Sequence, residues 1–379
     1  MAGLYLHIPF CKQACSYCDF HFSTSLKHKA ELIEALIKEI SQKKHLLQSE
    51  IKTIYFGGGT PSILSIVELN LINEAIYKNY NIGDDVEYTL ECNPDDLTKQ
   101  KLLELKKVGV NRLSIGTQSF FDEDLQFFNR AHNSVEAEKS ILLSQDIGIE
   151  NITIDLIYNS PTLTLQKWEQ NLDKVNQLNV PHLSAYTLTV EPKTALYHQI
   201  ETKKTQLPSD EEAIKQFKLL IEKTKSFGLT QYEVSNFGKE GFYSLHNSNY
   251  WKGEEYLGFG PSAHSYLKYL ENKPKRSWNV SNNMIYIKGL KENKIYFEDE
   301  IIDEKIAYNE YVLTRLRTIW GIDKNYISQN FNDKIVAHFS LELDKYLNSS
   351  YLETDNNNIK LTPEGVFIAD KISSDLFFV

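Results

Sequence analysis

Long apolar runs are missing from this chain of 379 residues, and so is an N-terminal basic stretch followed by an apolar one. The first absence argues against a membrane-spanning helix, which needs about 20 apolar residues. The second argues against a signal peptide. Cysteine is scarce: four in all, three crowded between positions 11 and 18 and one at 92. That distribution does not suit a disulfide framework. Basic charge is in deficit, with 41 Lys and Arg against 51 Asp and Glu, which disfavours a general nucleic-acid binder. The expected location is the cytoplasm, where thiols stay reduced; peripheral contact with a membrane partner is left open. The chain is longer than the roughly 250–300 residues at which one core stops growing. One large domain and a smaller one are therefore expected.

What is present begins with Leu4-Tyr5-Leu6-His7-Ile8-Pro9-Phe10, an alternating β-prone run that reads as a strand ending at Pro9. Cys11, Cys15 and Cys18 follow on the loop that leaves it. Three thiolates so close together suit one compact soft-metal centre, with one corner left open for a small molecule. A structural zinc site normally wants a fourth Cys or His, and position 20 is Phe20. Inert core thiols would not sit among Lys12, Gln13 and Ser16. An iron–sulfur cluster is the reading taken, with zinc as the alternative. Cys92, inside a strand-like segment, reads as a small core residue.

Beyond the loop, strands alternate with amphipathic helices. Strands are expected at 51–56, 86–91, 111–117, 151–156 and 182–187. Helices are expected at 29–47, 65–77, 98–108, within 122–145, and at 164–178. Six strands, each followed by a helix or long loop, predict a parallel sheet with right-handed crossovers. The fold class is α/β, a partial (β/α)6 TIM-like barrel. After Glu191-Pro192 the rhythm breaks. A charged helix at 209–227 and a connecting region precede a mainly helical, winged-helix-like C-terminal domain. The expected division is 1–235, 236–305 and 306–379.

In such barrels chemistry sits where strands lead into helices. Gly57-Gly58-Gly59-Thr60-Pro61 leaves the second strand and allows close backbone approach to a ligand, or is a plain tight turn. It is no phosphate loop, because no Gly-Lys-Ser/Thr follows. Glu91 could accept hydrogen bonds from an ammonium or a ribose hydroxyl, or be a solvated strand-end acid. Gln118 and Asp155 fall at later strand ends, and Arg130 follows Gln118 by 12 residues. His246, in His246-Asn247-Ser248-Asn249-Tyr250-Trp251, is competent as an axial iron ligand beside aromatics that suit a porphyrin face. It could equally be a hydrogen-bonded histidine in an aromatic cluster. His264, in Gly260-Pro261-Ser262-Ala263-His264-Ser265, is a second candidate.

The C-x3-C-x2-C spacing of Cys11, Cys15 and Cys18 resembles the cluster motif of the radical S-adenosylmethionine (SAM) superfamily. Tyr5-x-His7-Ile8-Pro9-Phe10-Cys11 resembles the branch holding oxygen-independent coproporphyrinogen III oxidases and their HemW-type relatives, the heme chaperones. The likeness runs from Tyr5 to Leu361-Thr362-Pro363-Glu364-Gly365. It implies a [4Fe-4S] cluster on the three cysteines, with SAM chelating the fourth iron. It implies SAM contacts at Tyr5, Tyr17, Gly58, Gly59, Thr60, Glu91, Gln118, Arg130 and Asp155, and heme as cargo linked to His246. Two departures from the oxidases stand out. They carry a further cysteine where this chain has Phe20, and an extension before the first strand where only four residues precede Tyr5. Both are typical of the HemW-type branch. The implied partners are heme or porphyrin, a recipient respiratory hemoprotein and a reductant protein. Anaerobic decarboxylation of coproporphyrinogen III is the alternative activity.

Overall fold

The computed structural model describes residues 2–268 and 273–379. Six parallel strands form its centre: β1 (Ala2–Ile8), β2 (Ile51–Gly58), β3 (Ile82–Cys92), β4 (Arg112–Gln118), β5 (Asn151–Tyr158) and β6 (His182–Thr187). The crossovers carry α1 (Lys29–Gln42), α2 (Ile66–Asn79), α3 (Lys99–Val108), α4 (Asp122–Phe127), α5 (Ser134–Asp146) and α6 (Leu165–Gln177). The expected partial barrel is present, and its sheet does not close.

Local chemistry sets the element ends. Ser65 and Glu68 form a reciprocal capping box on α2, and Asn133 and Glu136 do the same on α5. Thr98 and Thr164 cap α3 and α6 through their hydroxyls. Strand β1 stops at Ile8, before Pro9, which has no N–H for the ladder. Helix α1 ends at Gln42, short of the expected 47, and continues as a 3-10 turn. There the Lys43 ammonium turns inward to Glu39 (2.7 Å) and to the Gly258 carbonyl (3.2 Å).

After β6 come α7 (Ala195–Glu201), α8 (Asp210–Ser226), β7 (Thr230–Gln231), β8 (Asn236–Gly238) and α9 (Leu245–Trp251). Then follow β9 (Glu255–Phe259), β10 (His264–Leu267), β11 (Lys275–Asn279), α10 (Asn283–Glu292) and β12 (Phe297–Ile301). Residues 236–305, expected from sequence as a connecting region, hold five short strands and the helices α9 and α10. Strand β9 pairs in parallel with β1, and β10 to β12 extend that edge as antiparallel strands. The resulting order is β12-β11-β10-β9-β1-β2-β3-β4-β5-β6-β8-β7.

The C-terminal unit holds α11 (Glu304–Leu316), β13 (Ile322–Asp323), α12 (Lys324–Asn330), α13 (Asp333–Asp344), β14 (Leu352–Asp355), β15 (Asn358–Leu361), α14 (Pro363–Val366) and α15 (Ala369–Leu376). Its own core, built on Tyr308, Val312, Ile335, Phe339, Ile359 and Ile372, is separate from the barrel core. Helices beside a three-stranded antiparallel sheet fit the winged-helix-like expectation. Among the described residues, no helix is long and apolar enough to cross a membrane.

Candidate functional site

Polar residues pin the cysteine loop over the C-terminal end of the barrel. Lys12 pairs with Asp95 (2.7 Å) and with Asp96 just after β3. The Gln13 amide donates to Asn129 Oδ1 (2.8 Å), and Asn129 Nδ2 returns a bond to the Ala14 carbonyl (2.7 Å). Ser16 donates through its hydroxyl to the Phe127 carbonyl and through its N–H to that of Phe128, each at 3.0 Å. Tyr17 packs edge-on to Phe128, ring centroids 5.4 Å apart. These contacts explain why the loop is polar without being loose.

The loop leaves Cys11, Cys15 and Cys18 partly accessible and unbridged. Arg130 reaches it from the turn after α4. Its Nη1 donates to Cys15 Sγ (3.1 Å), while Nη2 donates to Asn93 Oδ1 (2.8 Å) and the Gly116 carbonyl (2.9 Å). The guanidinium thus ties the cysteine loop to the ends of β3 and β4. Among the described residues, no three His, Cys, Asp or Glu side chains are gathered closely enough to hold one metal ion. Three accessible thiols on one loop are a donor set that suits an iron–sulfur unit taking three protein ligands.

Beside the loop, the glycine turn forms a bare backbone ledge. Gly58 has φ +105°, and a Cβ there would lie 2.6 Å from the His7 ring. A Cβ on Gly59 would lie 2.7 Å from the Phe10 carbonyl oxygen. The turn therefore needs glycine for space as well as conformation. Thr60 is buried and donates its N–H to the Phe10 carbonyl at 2.7 Å. Its hydroxyl is in hydrogen-bonding reach of the Cys11 thiol.

Glu91 is no solvated acid. Its Oε1 accepts from Tyr55 OH (2.8 Å) and its Oε2 from the Gly58 N–H (3.1 Å). Burial, with a smaller push from Asp155, raises its pKa to about 7 against the opposing pull of those two donors. Burial likewise raises Asp155 to about 6, opposed by Ser184, Arg112 and Arg130. Two buried carboxyls poised near neutrality, close enough for their charges to interact, could accept hydrogen bonds from a cationic or hydroxyl-bearing ligand. Gln118 sits at a bulge of β4 with φ +65° and is buried. Tyr5 donates toward His7 Nδ1 (3.1 Å) and lies against Tyr55. Thus Tyr5, Tyr17, the glycine turn, Glu91, Gln118, Arg130 and Asp155 share the barrel mouth with the cysteine loop. Sequence reasoning missed Tyr55 and Asn93, which hold Glu91 and Arg130. The signal for Tyr55 was its alternation with Thr53 and Gly57 on the inward face of β2.

His246 lies elsewhere. Helix α9 plugs the opposite end of the barrel, its Leu245 and His246 N–H groups each 2.9 Å from the Glu87 carboxylate. The imidazole is buried, stacked on Tyr55 at 4.8 Å. Its Nδ1 meets Thr53 Oγ1 and its Nε2 meets Tyr250 OH, both at 2.7 Å. Burial, helped by Arg112, lowers its pKa to about 3. In this structure both nitrogens are engaged and the ring sits in an aromatic cluster. His264 is exposed, on β10 at the mouth, and close enough to His7 for their charges to interact.

Comparison with known proteins agrees with this geometry. Residues 5–175 match the radical SAM superfamily model, and residues 302–368 match the HemN C-terminal domain. The chain is 33% identical over 377 residues to the heme chaperone HemW of Bacillus subtilis, covering 98% of each protein. It is 31% identical to the heme chaperone HemW of Lactococcus lactis, covering 97% of this chain and 95% of that one. The fold superposes on the coproporphyrinogen III oxidase HemN of Escherichia coli with a TM-score of 0.85 at 22% identity, over 99% of this chain and 89% of that one.

Proposed function

The chain belongs to the HemW family within the radical SAM superfamily, and from that premise we propose that it is a heme chaperone. It holds heme and passes it to a recipient hemoprotein, with a respiratory hemoprotein as the acceptor class. The observation that carries the reading is likeness to heme chaperones along essentially the whole chain. A local feature supports it: Phe20, where the resembled oxidases bear a further thiol, is 68% exposed beside the mouth.

In this proposal Cys11, Cys15 and Cys18 hold a [4Fe-4S] cluster, and a reductant protein serves it. Gly58, Gly59 and Thr60 cradle the methionine end of SAM. Glu91, oriented by Tyr55 and the Gly58 N–H, accepts from its amino group or ribose. Gln118, Arg130 and Asp155 line the remainder, with Tyr5 and Tyr17 packed against it. When bound, cluster and SAM supply one-electron cleavage of a carbon–sulfur bond. The protein's part is to ligate, orient and exclude water. The site lies in the cytoplasm on this reading, with any membrane contact peripheral.

The second reading, oxidative decarboxylation of coproporphyrinogen III, draws on fold likeness alone. Anaerobic incubation of reconstituted, reduced protein with SAM and coproporphyrinogen III separates the two. The expected result is no protoporphyrinogen, together with saturable heme binding in a parallel titration. Porphyrinogen turnover would reject the chaperone assignment.

A further inference from the structure

Resting on the reading of Asp155 as a SAM contact, we propose that Asn236 is a positioning residue for that carboxyl, acting through the Ser184 hydroxyl. The three residues stand side by side across two ladders. Asp155 on β5 is the register partner of Ser184 on β6, and Ser184 is the register partner of Asn236 on β8. Ser184 Oγ donates to Asn236 Oδ1 at 2.6 Å and is in hydrogen-bonding reach of the Asp155 carboxyl. Ser184 and Asn236 are both buried, so their polar atoms depend on protein partners.

A serine hydroxyl carries one proton. Asn236 and Asp155 compete for it, and the 2.6 Å bond gives it to Asn236. The amide is oriented from behind. Its side chain is in hydrogen-bonding reach of Glu233, a buried acid in the turn between β7 and β8. The Nδ2 side suits that carboxylate and leaves Oδ1 for Ser184; turned over, the amide would set its oxygen against Glu233. The turn is itself held. The Tyr232 N–H donates to the Asn236 carbonyl, and the Tyr232 carbonyl accepts from the Ile319 N–H of the C-terminal unit, each at 3.1 Å. Glu233 Oε1 accepts from the Ser235 N–H at 3.0 Å, and the Glu233 backbone bridges to Thr318. With Asn236 in place, Asp155 faces a lone pair of Ser184, which favours the protonated carboxyl. With Asn236 gone, the Ser184 proton turns to Asp155 and favours the carboxylate. The other charged and titratable groups around Asp155 are Glu91 on β3, Arg112 on β4, Arg130 after α4, Tyr55 on β2, Tyr17 on the cysteine loop and Tyr186 on β6, the last also within reach of Ser184.

The experiment is equilibrium dialysis of SAM against the anaerobically reconstituted full chain, repeated across the acid range from pH 8. In the wild type, affinity should fall as Asp155 takes up its proton at about pH 6, after a separate step from Glu91 at about 7. Asp155→Asn should erase the lower step. Asn236→Ala should move that step down by about one pH unit, with affinity at the alkaline end within about threefold of wild type. Ser184→Ala removes the intermediary, so adding Asn236→Ala to it should produce no further movement. If Asn236→Ala does not fold, Asn236→Leu refills the space and should give the same shift. A wild-type profile in the Asn236 variant, or a full further shift in the Ser184→Ala background, would overturn the proposal. Unchanged affinity and profile in Asp155→Asn is a different result, which removes Asp155 from the SAM site and rejects the reading underneath.

Discussion

Replacing His246 by alanine is the sharpest test of the plug at the base of the barrel. The substitution removes a ring stacked 4.8 Å from Tyr55 and strips the partners from Thr53 Oγ1 and Tyr250 OH. Each buried polar group left alone costs about 1–3 kcal/mol. The vacated ring adds a cavity penalty, and aromatic-to-alanine core changes cost about 3–5 kcal/mol. Partial relaxation and water entry offset some of this, so a loss of about 4 kcal/mol is expected. For a domain of this size, that is a fall of about 5–10 °C in the unfolding midpoint. The same change releases Tyr55, whose hydroxyl holds Glu91 Oε1 at 2.8 Å. SAM affinity should therefore weaken several-fold, while the cluster, held by a loop at the other end, stays. Calorimetry and equilibrium dialysis with SAM read the two effects on one sample. A midpoint within about 1 °C of wild type would refute the packing argument. Normal stability with lost iron would place His246 in the wrong part of the molecule.

Further outcomes follow from the mouth. Glu91→Gln sets an amide against the Tyr55 and Gly58 donors, and losing hydrogen bonds to a charged acceptor costs about 1.5–3 kcal/mol; SAM binding should fall at least tenfold by dialysis, and an unchanged constant would sink the assignment. Gly58→Ala forces a Cβ against the His7 ring at φ +105°; SAM binding should be lost and the melting midpoint should drop, whereas a neutral result would show that the ledge can yield. Arg130→Leu removes the cation from Cys15; anaerobic iron and sulfide per chain should fall several-fold, and full retention would count against the guanidinium's role.

Acid should destabilise the fold. Burial holds His7 and His132 neutral down to about 4 and His246 down to about 3, below the unfolded value near 6.5. Between about pH 6.5 and 3 the unfolded chain takes up protons that the native state refuses, so stability falls as pH falls. Glu91 and Asp155 act oppositely, since their folded values near 7 and 6 lie above those of free carboxyls. Three imidazoles outweigh two carboxyls, and the urea midpoint should drop between pH 7.5 and 5. A midpoint that rises over that interval would mean the imidazoles are not buried as described.

The parts of this molecule that were legible in its residues are those where local chemistry and position coincide. The six βα units could be read because parallel strands covered on both faces are nearly unbroken apolar runs, and because Ser65, Thr98 and Thr164 announce the helices that follow. The cysteines, Gly58 and Glu91 could be read because they stand where strands end, the one place in such a barrel where polarity is unexpected in a core and useful at a mouth. The edge made by β9 to β12 could not be read. Its strands are short, Lys275-Arg276-Ser277-Trp278-Asn279 looks like a surface loop, and the pairing of β9 with β1 spans some 250 residues without a local trace. For the same reason the surroundings of the two histidine candidates could not be read. The His246 segment carries the denser aromatic pattern, but a pattern of rings does not say whether they enclose a ligand or one another. Tyr55 and Tyr250 pack on His246 itself, whereas exposed His264 has a single stacked ring, Trp278. What surrounds such a histidine is thus set by partners as distant in the chain as Thr53, which no local pattern around position 246 announces.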